Sequence, residues 1–103
     1  KDLVIRGGVN ISSEEIEGLL QACPGVKEVA VIGVPCETLG ERVCACVAPA
    51  PGHVITLEVL TDYLRSQRIA VYKLPEHLML MAELPRNPVG KLLKRELRLR
   101  FAA

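Results

Sequence analysis

Two apolar segments rich in β-branched residues lie next to each other in the chain, at residues 26–34 and 41–48. Residues 26–34 alternate in polarity, which predicts a strand, and the apolar run at 41–48 predicts a strand buried on both faces. The short loop at residues 35–40 joins them, so antiparallel pairing is favoured. These segments predict a β-sheet that helices cover.

The other predicted elements come from turn, cap and periodicity signals. Ser12, with Glu15 three residues later, matches a capping box, and Thr56 is the predicted cap of a second helix. The remaining segments are predicted hairpin strands at 3–6 and 9–11, a strand at 77–84 and a last helix at about 92–101. The chain therefore predicts a small α+β domain with an N-terminal β-hairpin, a roughly three-stranded sheet and about three covering helices.

Composition excludes several classes of function for a chain of 103 residues. The chain is 50% hydrophobic and 24% charged, which is typical of a globular protein and not of a disordered one. A net charge of +1 and an aromatic content of 3% argue against a nucleic-acid interface. No apolar run approaches the ~20 residues of a membrane span.

The four cysteines do not have the spacing of a metal site. No CxxC pair occurs and neither histidine completes a zinc pattern, so no metal site is predicted. Cys44 and Cys46 point to the same face of a predicted strand and are interpreted as buried reduced thiols, which predicts a cytoplasmic location. Cys36 has no base near it in sequence and is not interpreted as a nucleophile.

The loop at residues 85–90 and the lysine that follows it form the first candidate functional segment. Prolines and a glycine constrain this backbone, and residues 91–100 contain five basic side chains and one acid, Glu96. One interpretation is a solvated helix with basic residues near its C-terminus, where the helix dipole favours them. The other is that Lys91 is presented to a phosphate or carboxylate.

Gly7 and Gly8 form the second candidate segment. Two adjacent glycines let the backbone approach a ligand closely, although neither the GxGxxG nor the GxxxxGK[ST] pattern occurs. A hairpin turn without a ligand is the alternative interpretation.

These two segments resemble motifs of the adenylate-forming enzymes, which include acyl-CoA synthetases, adenylation domains of nonribosomal peptide synthetases and luciferases. The matched motifs are K-D-x-I-x-x-G-G-x-N-I-x-x-x-E-I-E at residues 1–17, V-A-V-I-G-x-P…G-E at 29–41 and Y-K-x-P at 72–75. The closing motif P-x-x-x-x-G-K-x-x-K-x-x-L-R matches residues 86–98 together with the preceding Pro85. The resemblance covers essentially the whole chain, in the right order.

The resemblance implies that residues 1–103 are a single mobile C-terminal domain that begins at about the interdomain hinge, Lys1 and Asp2. It implies that a large N-terminal domain is the main partner and holds the acyl pocket and most of the groups that bind ATP and Mg. We therefore expect the chain by itself to be inactive.

The resemblance also implies roles for individual residues. Lys91 matches the catalytic lysine of acyl-adenylate formation, and Gly7, Gly8 and Asn10 match the face presented to the pantetheine arm of coenzyme A. The expected whole enzyme is an ATP-dependent acyl-CoA synthetase for a fatty or other carboxylic acid. The alternatives are an aryl- or amino-acid adenylating enzyme that loads a carrier protein, and a non-catalytic interaction module.

Overall fold

An antiparallel pair of long strands forms the centre of the computed structural model, which describes residues 2–103. Strands β3 (Val26–Cys36) and β4 (Gly40–Pro49) stay in register from the Cys36–Gly40 pair to the Val26–Pro49 pair, with one irregularity between Val26 and Glu28. The predicted pairing of these two segments is confirmed.

The remaining strands and helices surround this pair. In chain order they are β1 (Leu3–Arg6), β2 (Val9–Ser12), α1 (Ser13–Gln21), α2 (Leu57–Ser66), a 3-10 turn (Val71–Lys73), β5 (His77–Leu80) and α3 (Lys94–Ala102). The sheet order is β2-β1-β4-β3, and β5 pairs with the side of β4 opposite β3. None of the helices in residues 2–103 is long and apolar enough to cross a membrane.

The α+β fold class is confirmed, with a larger sheet than the sequence predicts. The N-terminal hairpin joins the sheet through the pairing of Arg6 with Gly40, so the described residues form five strands in one sheet. Strand β5 ends at Leu80, not at the predicted residue 84, and it runs parallel to β4. Parallel pairing requires a crossover, and α2 supplies it between β4 and β5.

The sheet has an apolar core on each face. One core contains β3 and β4 side chains together with α1 and α2: Val31, Val43, Ala45, Val47, Ile16, Leu20, Leu60 and Leu64. The other core contains the alternate side chains of the same strands and Leu97 of α3: Ala30, Ile32, Val34, Cys44 and Cys46. The prediction that β4 is buried on both faces is therefore confirmed.

Helix starts follow local hydrogen bonding. Ser12 Oγ accepts from the Glu15 amide at 3.3 Å, and Thr56 Oγ1 accepts from the Val59 amide at 3.1 Å, so both predicted caps are confirmed. Helix α3 begins at Lys94, two residues after the predicted start. The delay arises because Leu92 forms a β-bridge and the amide of the next residue donates to the Pro85 carbonyl at 2.9 Å.

Candidate functional site

The segment before α3 is a closed loop held by the side chain of Asn87. Its Oδ1 accepts from the Val89 amide at 3.1 Å and from the Lys91 amide at 2.8 Å. The backbone closes the same loop, because the Asn87 amide donates to the Lys91 carbonyl at 2.9 Å. We call residues 86–93 the lysine loop.

The lysine loop fixes the backbone of Lys91 and leaves its side chain exposed. Gly90 has φ +89°, a left-handed conformation that glycine adopts without strain. Arg86 donates to the Gly90 carbonyl at 3.0 Å and also pairs with Glu28 of β3 at 3.2 Å. Lys91 is exposed, and within residues 2–103 its ammonium group forms no ion pair. A free cation on a fixed backbone is suited to contact an anion.

The turn Gly7-Gly8 joins β1 to β2 as a two-residue hairpin loop. Both residues have positive φ, +56° and +82°, as a type I′ turn requires. A Cβ at Gly7 would meet Leu39 at 3.3 Å, whereas a Cβ at Gly8 would have no heavy atom within 4 Å. Asn10 is exposed and lies opposite Ile5 in the hairpin. The segment therefore forms the predicted hairpin turn, and Gly8 faces open space.

The lysine loop and the glycine turn lie at opposite ends of β3. Arg86 connects the lysine loop to Glu28, near the start of the strand. The glycine turn contacts the β3–β4 connection, where the Gly7 amide donates to the Leu39 carbonyl at 2.8 Å. Eight residue steps separate Glu28 from Cys36, which is about 26 Å of extended strand. The structure therefore does not bring Lys91 together with Gly7, Gly8 and Asn10.

Asp2, one of the two expected hinge residues, belongs to an ion cluster inside the domain. Its carboxylate pairs with the Lys94 ammonium, and its carbonyl accepts from the Ser13 amide at 3.3 Å. Lys94 also pairs with Glu17 of α1 at 2.6 Å. Lys1, the other expected hinge residue, lies outside the described residues.

A second ion cluster ties the hairpin to the sheet. Glu76 accepts from Arg6 Nε at 2.8 Å and pairs with Arg42 of β4. The hydrogen bond from Arg6 is the main reason that the pKa of the Glu76 carboxyl lies below its ordinary value. Glu76 follows the Y-K-x-P segment directly, so this cluster fixes the end of β1 against it.

The described cysteines are all free, and three of them are buried: Cys23, Cys44 and Cys46. Cys36 is half-buried and ends β3. Hydrogen bonding with Thr38, with a further contribution from Arg42, lowers its pKa to about 7. Sequence reasoning missed this basic neighbour, because Arg42 reaches Cys36 only through the strand pairing. Within residues 2–103, no group of three or more His, Cys, Asp or Glu side chains could hold a metal ion.

Sequence reasoning also gave no role to Lys94, although a signal was present. Lys94 lies three residues before the buried Leu97, so it falls on the apolar side of α3. A lysine at such a position needs acidic or carbonyl partners, and in the fold these include Asp2 and Glu17.

Comparison with known proteins identifies the family. The sequence profile of the AMP-binding enzyme C-terminal domain matches residues 15–91. The chain belongs to this family, and the resemblance to the C-terminal domain of adenylate-forming enzymes is confirmed.

Individual relatives agree in sequence and in fold. Salicylyl-CoA synthase / salicylate adenylyltransferase of a Streptomyces species is 47% identical over 95% of this chain and 18% of that protein. The medium-chain fatty-acid–CoA ligase of Escherichia coli is 42% identical over 91% of this chain and 17% of that protein. Apo MatB from Rhodopseudomonas palustris superposes with a TM-score of 0.91 at 42% identity, over 98% of this chain and 20% of MatB. This chain therefore spans about one fifth of the length of the relatives that it matches.

Proposed function

We propose that this chain is the mobile C-terminal domain of an ATP-dependent acyl-CoA synthetase and that it serves two successive half-reactions. Lys91 acts in acyl-adenylate formation, and the face that carries Gly7, Gly8 and Asn10 acts in thioester formation. ATP, the carboxylic acid and coenzyme A are the substrates. A larger N-terminal domain is the partner against which this domain turns.

The observation that carries the proposal is that Arg86 links the lysine loop to Glu28, whereas the glycine turn bonds to Leu39, beyond Cys36, and Glu28 and Cys36 are about 26 Å apart along β3. A single active site on the partner domain cannot contact both segments in one orientation. Both segments match family motifs, so each is expected to reach the reacting groups in its own step. Rotation about the chain that precedes the domain gives each segment access in turn.

In the first half-reaction the substrate carboxylate attacks the α-phosphorus of ATP, and pyrophosphate leaves. Two anions approach each other, and negative charge builds up on the oxygens between them. The Lys91 ammonium group offsets that charge, and the bonds to Asn87 keep the lysine backbone fixed while it does so. No step is assigned to a metal ion on this chain, and we expect Mg to be bound by the partner domain.

In the second half-reaction the thiol sulfur of coenzyme A attacks the acyl carbonyl carbon. The bond to the AMP oxygen then breaks, AMP leaves and the thiol proton is lost. A thin pantetheine arm needs a passage without side chains, and the open space at Gly8 suits that need.

An aryl-acid adenylating enzyme is the second candidate. The observation that favours it is the 47% identity to salicylyl-CoA synthase / salicylate adenylyltransferase, against 42% to the fatty-acid ligase. The acyl pocket is expected in the partner domain, so the test uses the whole enzyme. Pyrophosphate release is measured with fatty acids and with aryl acids, and the faster class of acid decides between the two candidates.

The test of the proposed function is the Lys91→Ala variant of the longer natural chain that contains this domain. We expect a loss of about 100- to 1,000-fold in acyl-adenylate formation, corresponding to roughly 3–4 kcal/mol, with much less effect on thioester formation from supplied acyl-adenylate. Lys27→Ala is the matched control, because Lys27 is an exposed lysine next to Glu28 and should change neither step. Equal losses in both steps would contradict the division of roles, and unchanged activity would favour a non-catalytic module.

A further inference from the structure

We infer that Lys94 is a positioning residue that ties Asp2, beside the expected hinge, to the base of the lysine loop. The inference rests on the proposed function, and it assigns a task to a residue whose ammonium group is bonded within the domain. It concerns how the Lys91 side chain is held relative to the hinge.

The Lys94 ammonium group is saturated by three acceptors from three parts of the fold. These acceptors are the Asp2 carboxylate, Glu17 Oε2 at 2.6 Å and the Val31 carbonyl oxygen at 3.0 Å. An ammonium group has three donors, so none is left over. The Lys94 side chain is only 17% exposed, which limits competition from water.

The same cluster closes the free edge of β3. Strand β3 is the last strand on its side of the sheet, so the amide and carbonyl of Val31 have no neighbouring strand there. Glu17 accepts from the Val31 amide at 2.7 Å, and Lys94 donates to the Val31 carbonyl. The two carboxylates of the cluster, Asp2 and Glu17, would repel each other without the cation between them.

Lys94 also holds the base of the lysine loop. It is the first residue of α3, and the capping position before it, Leu93, forms no side-chain capping bond. Lys94 lies three positions after Lys91, which is at most about 10 Å of chain. An anchored Lys94 therefore restricts where the loop can carry the Lys91 backbone.

The pair with Asp2 makes a direct connection between the two ends of the domain. Asp2 and Lys94 are 92 positions apart in sequence, yet their side chains are in contact. When the domain turns as proposed, the ion pair makes the lysine loop follow Asp2 as part of the same rigid body. Without it, the loop is located by the packing of α3 on the sheet, by the Arg86–Glu28 pair and by the remaining bonds of Lys94 to Glu17 and Val31.

Asp2→Ala tests this tie and leaves the bonds of Lys94 to Glu17 and Val31 in place. Two measurements are made on the longer natural chain: hydrogen–deuterium exchange of the peptide covering residues 86–93, and the single-turnover rate of each half-reaction. Asp2→Glu keeps the carboxylate and is the conservative variant. Leu60→Val is the control for general destabilisation, because Leu60 is buried on the α2 side of the sheet.

We expect Asp2→Ala to speed exchange of the lysine loop about tenfold and to slow acyl-adenylate formation about tenfold, because a displacement of ~1 Å costs as much as 100-fold in rate. Thioester formation from supplied acyl-adenylate should change less than about twofold, and Asp2→Glu should restore most of the loss. Leu60→Val should leave the ratio of the two half-reactions unchanged.

If hydrogen–deuterium exchange of residues 86–93 is unchanged in Asp2→Ala, the inference that Lys94 ties Asp2 to the lysine loop is wrong. An equal fall in both half-reactions would also overturn it, because that is the result of a purely structural role. A wild-type enzyme that forms no acyl-adenylate would overturn the proposed function instead, and the exchange measurement would still decide whether Asp2 restrains the loop.

Discussion

A leucine at position 8 should block the second half-reaction and spare the first. The Cβ at this position has no heavy atom within 4 Å, so a side chain there would project from the domain without an internal clash. In the proposed thioester-forming orientation, that side chain would enter the path of the pantetheine arm. In the proposed adenylate-forming orientation, the glycine turn is expected to lie away from the reacting groups.

The substitution also strains the backbone, and this effect must be separated from the blocking effect. Gly8 has φ +82°, where a non-glycine residue costs about 1–2 kcal/mol. For a domain of this size, each kcal/mol lowers Tm by about 4–8 °C. Gly52 is a matched control, because it has φ +80° and a Cβ there would also have no heavy atom within 4 Å. Gly8→Leu and Gly52→Leu should therefore destabilise the domain by similar amounts.

The assay is single-turnover kinetics on the whole enzyme, with pyrophosphate release and acyl-CoA formation measured separately. Gly8→Leu should slow acyl-CoA formation about 100-fold or more with pyrophosphate release within about twofold of wild type, as expected when one geometry is blocked. Gly52→Leu should affect neither step. Equal slowing of both steps by Gly8→Leu, or the same kinetic loss in Gly52→Leu, would refute the argument and leave the turn with a structural role only.

Three further predictions concern the chain itself. The 103-residue chain should show no ATP–pyrophosphate exchange, and steady exchange above the buffer rate would contradict the proposed partition between two domains. Cys36 should be alkylated by iodoacetamide at a rate that rises with pH and has its midpoint at about pH 7, while the buried cysteines react only after unfolding. Mass spectrometry of the labelled peptides checks this, and Cys36→Ser should remove the signal. Glu76→Gln should lower the free energy of unfolding at neutral pH by about 1 kcal/mol, a value reduced for partial exposure. Because the pKa of Glu76 is lowered in the folded state, its contribution to the free energy of unfolding is present above the ordinary glutamate pKa and is lost as the pH falls below that value. The difference in free energy of unfolding between wild type and Glu76→Gln, measured by urea unfolding, should therefore shrink in acid.

Local chemistry made the central part of the fold predictable. The capping hydroxyls of Ser12 and Thr56 act on amides three residues away, so sequence alone contains the relevant partners. The apolar run in β4 likewise reflects burial on both faces, which is a property of that segment. Gly7 and Gly8 are also a local signal for a tight hairpin turn.

Features that depend on distant partners were not predictable in this way. The sequence of β5 contains no sign of its direction, which follows from where the crossover through α2 leaves the chain. Leu92 and Leu93 continue the apolar periodicity of α3, yet the closure of the lysine loop takes their backbone groups out of the helix. The Lys94 cluster joins residues from both ends of the chain, so only the folded arrangement reveals which carboxylates the lysine meets.

The rigidity of the β3–β4 pair limits how the two candidate segments can work. Motion within a folded domain displaces ordered atoms by about 1–2 Å, which is far less than the ~26 Å of strand between Glu28 and Cys36. Internal flexing therefore cannot exchange the lysine loop for the glycine turn at a shared active site. If both segments act in one enzyme, the whole domain must move as a body, and Asp2 moves with it, because Asp2 is held by Lys94 and by Ser13.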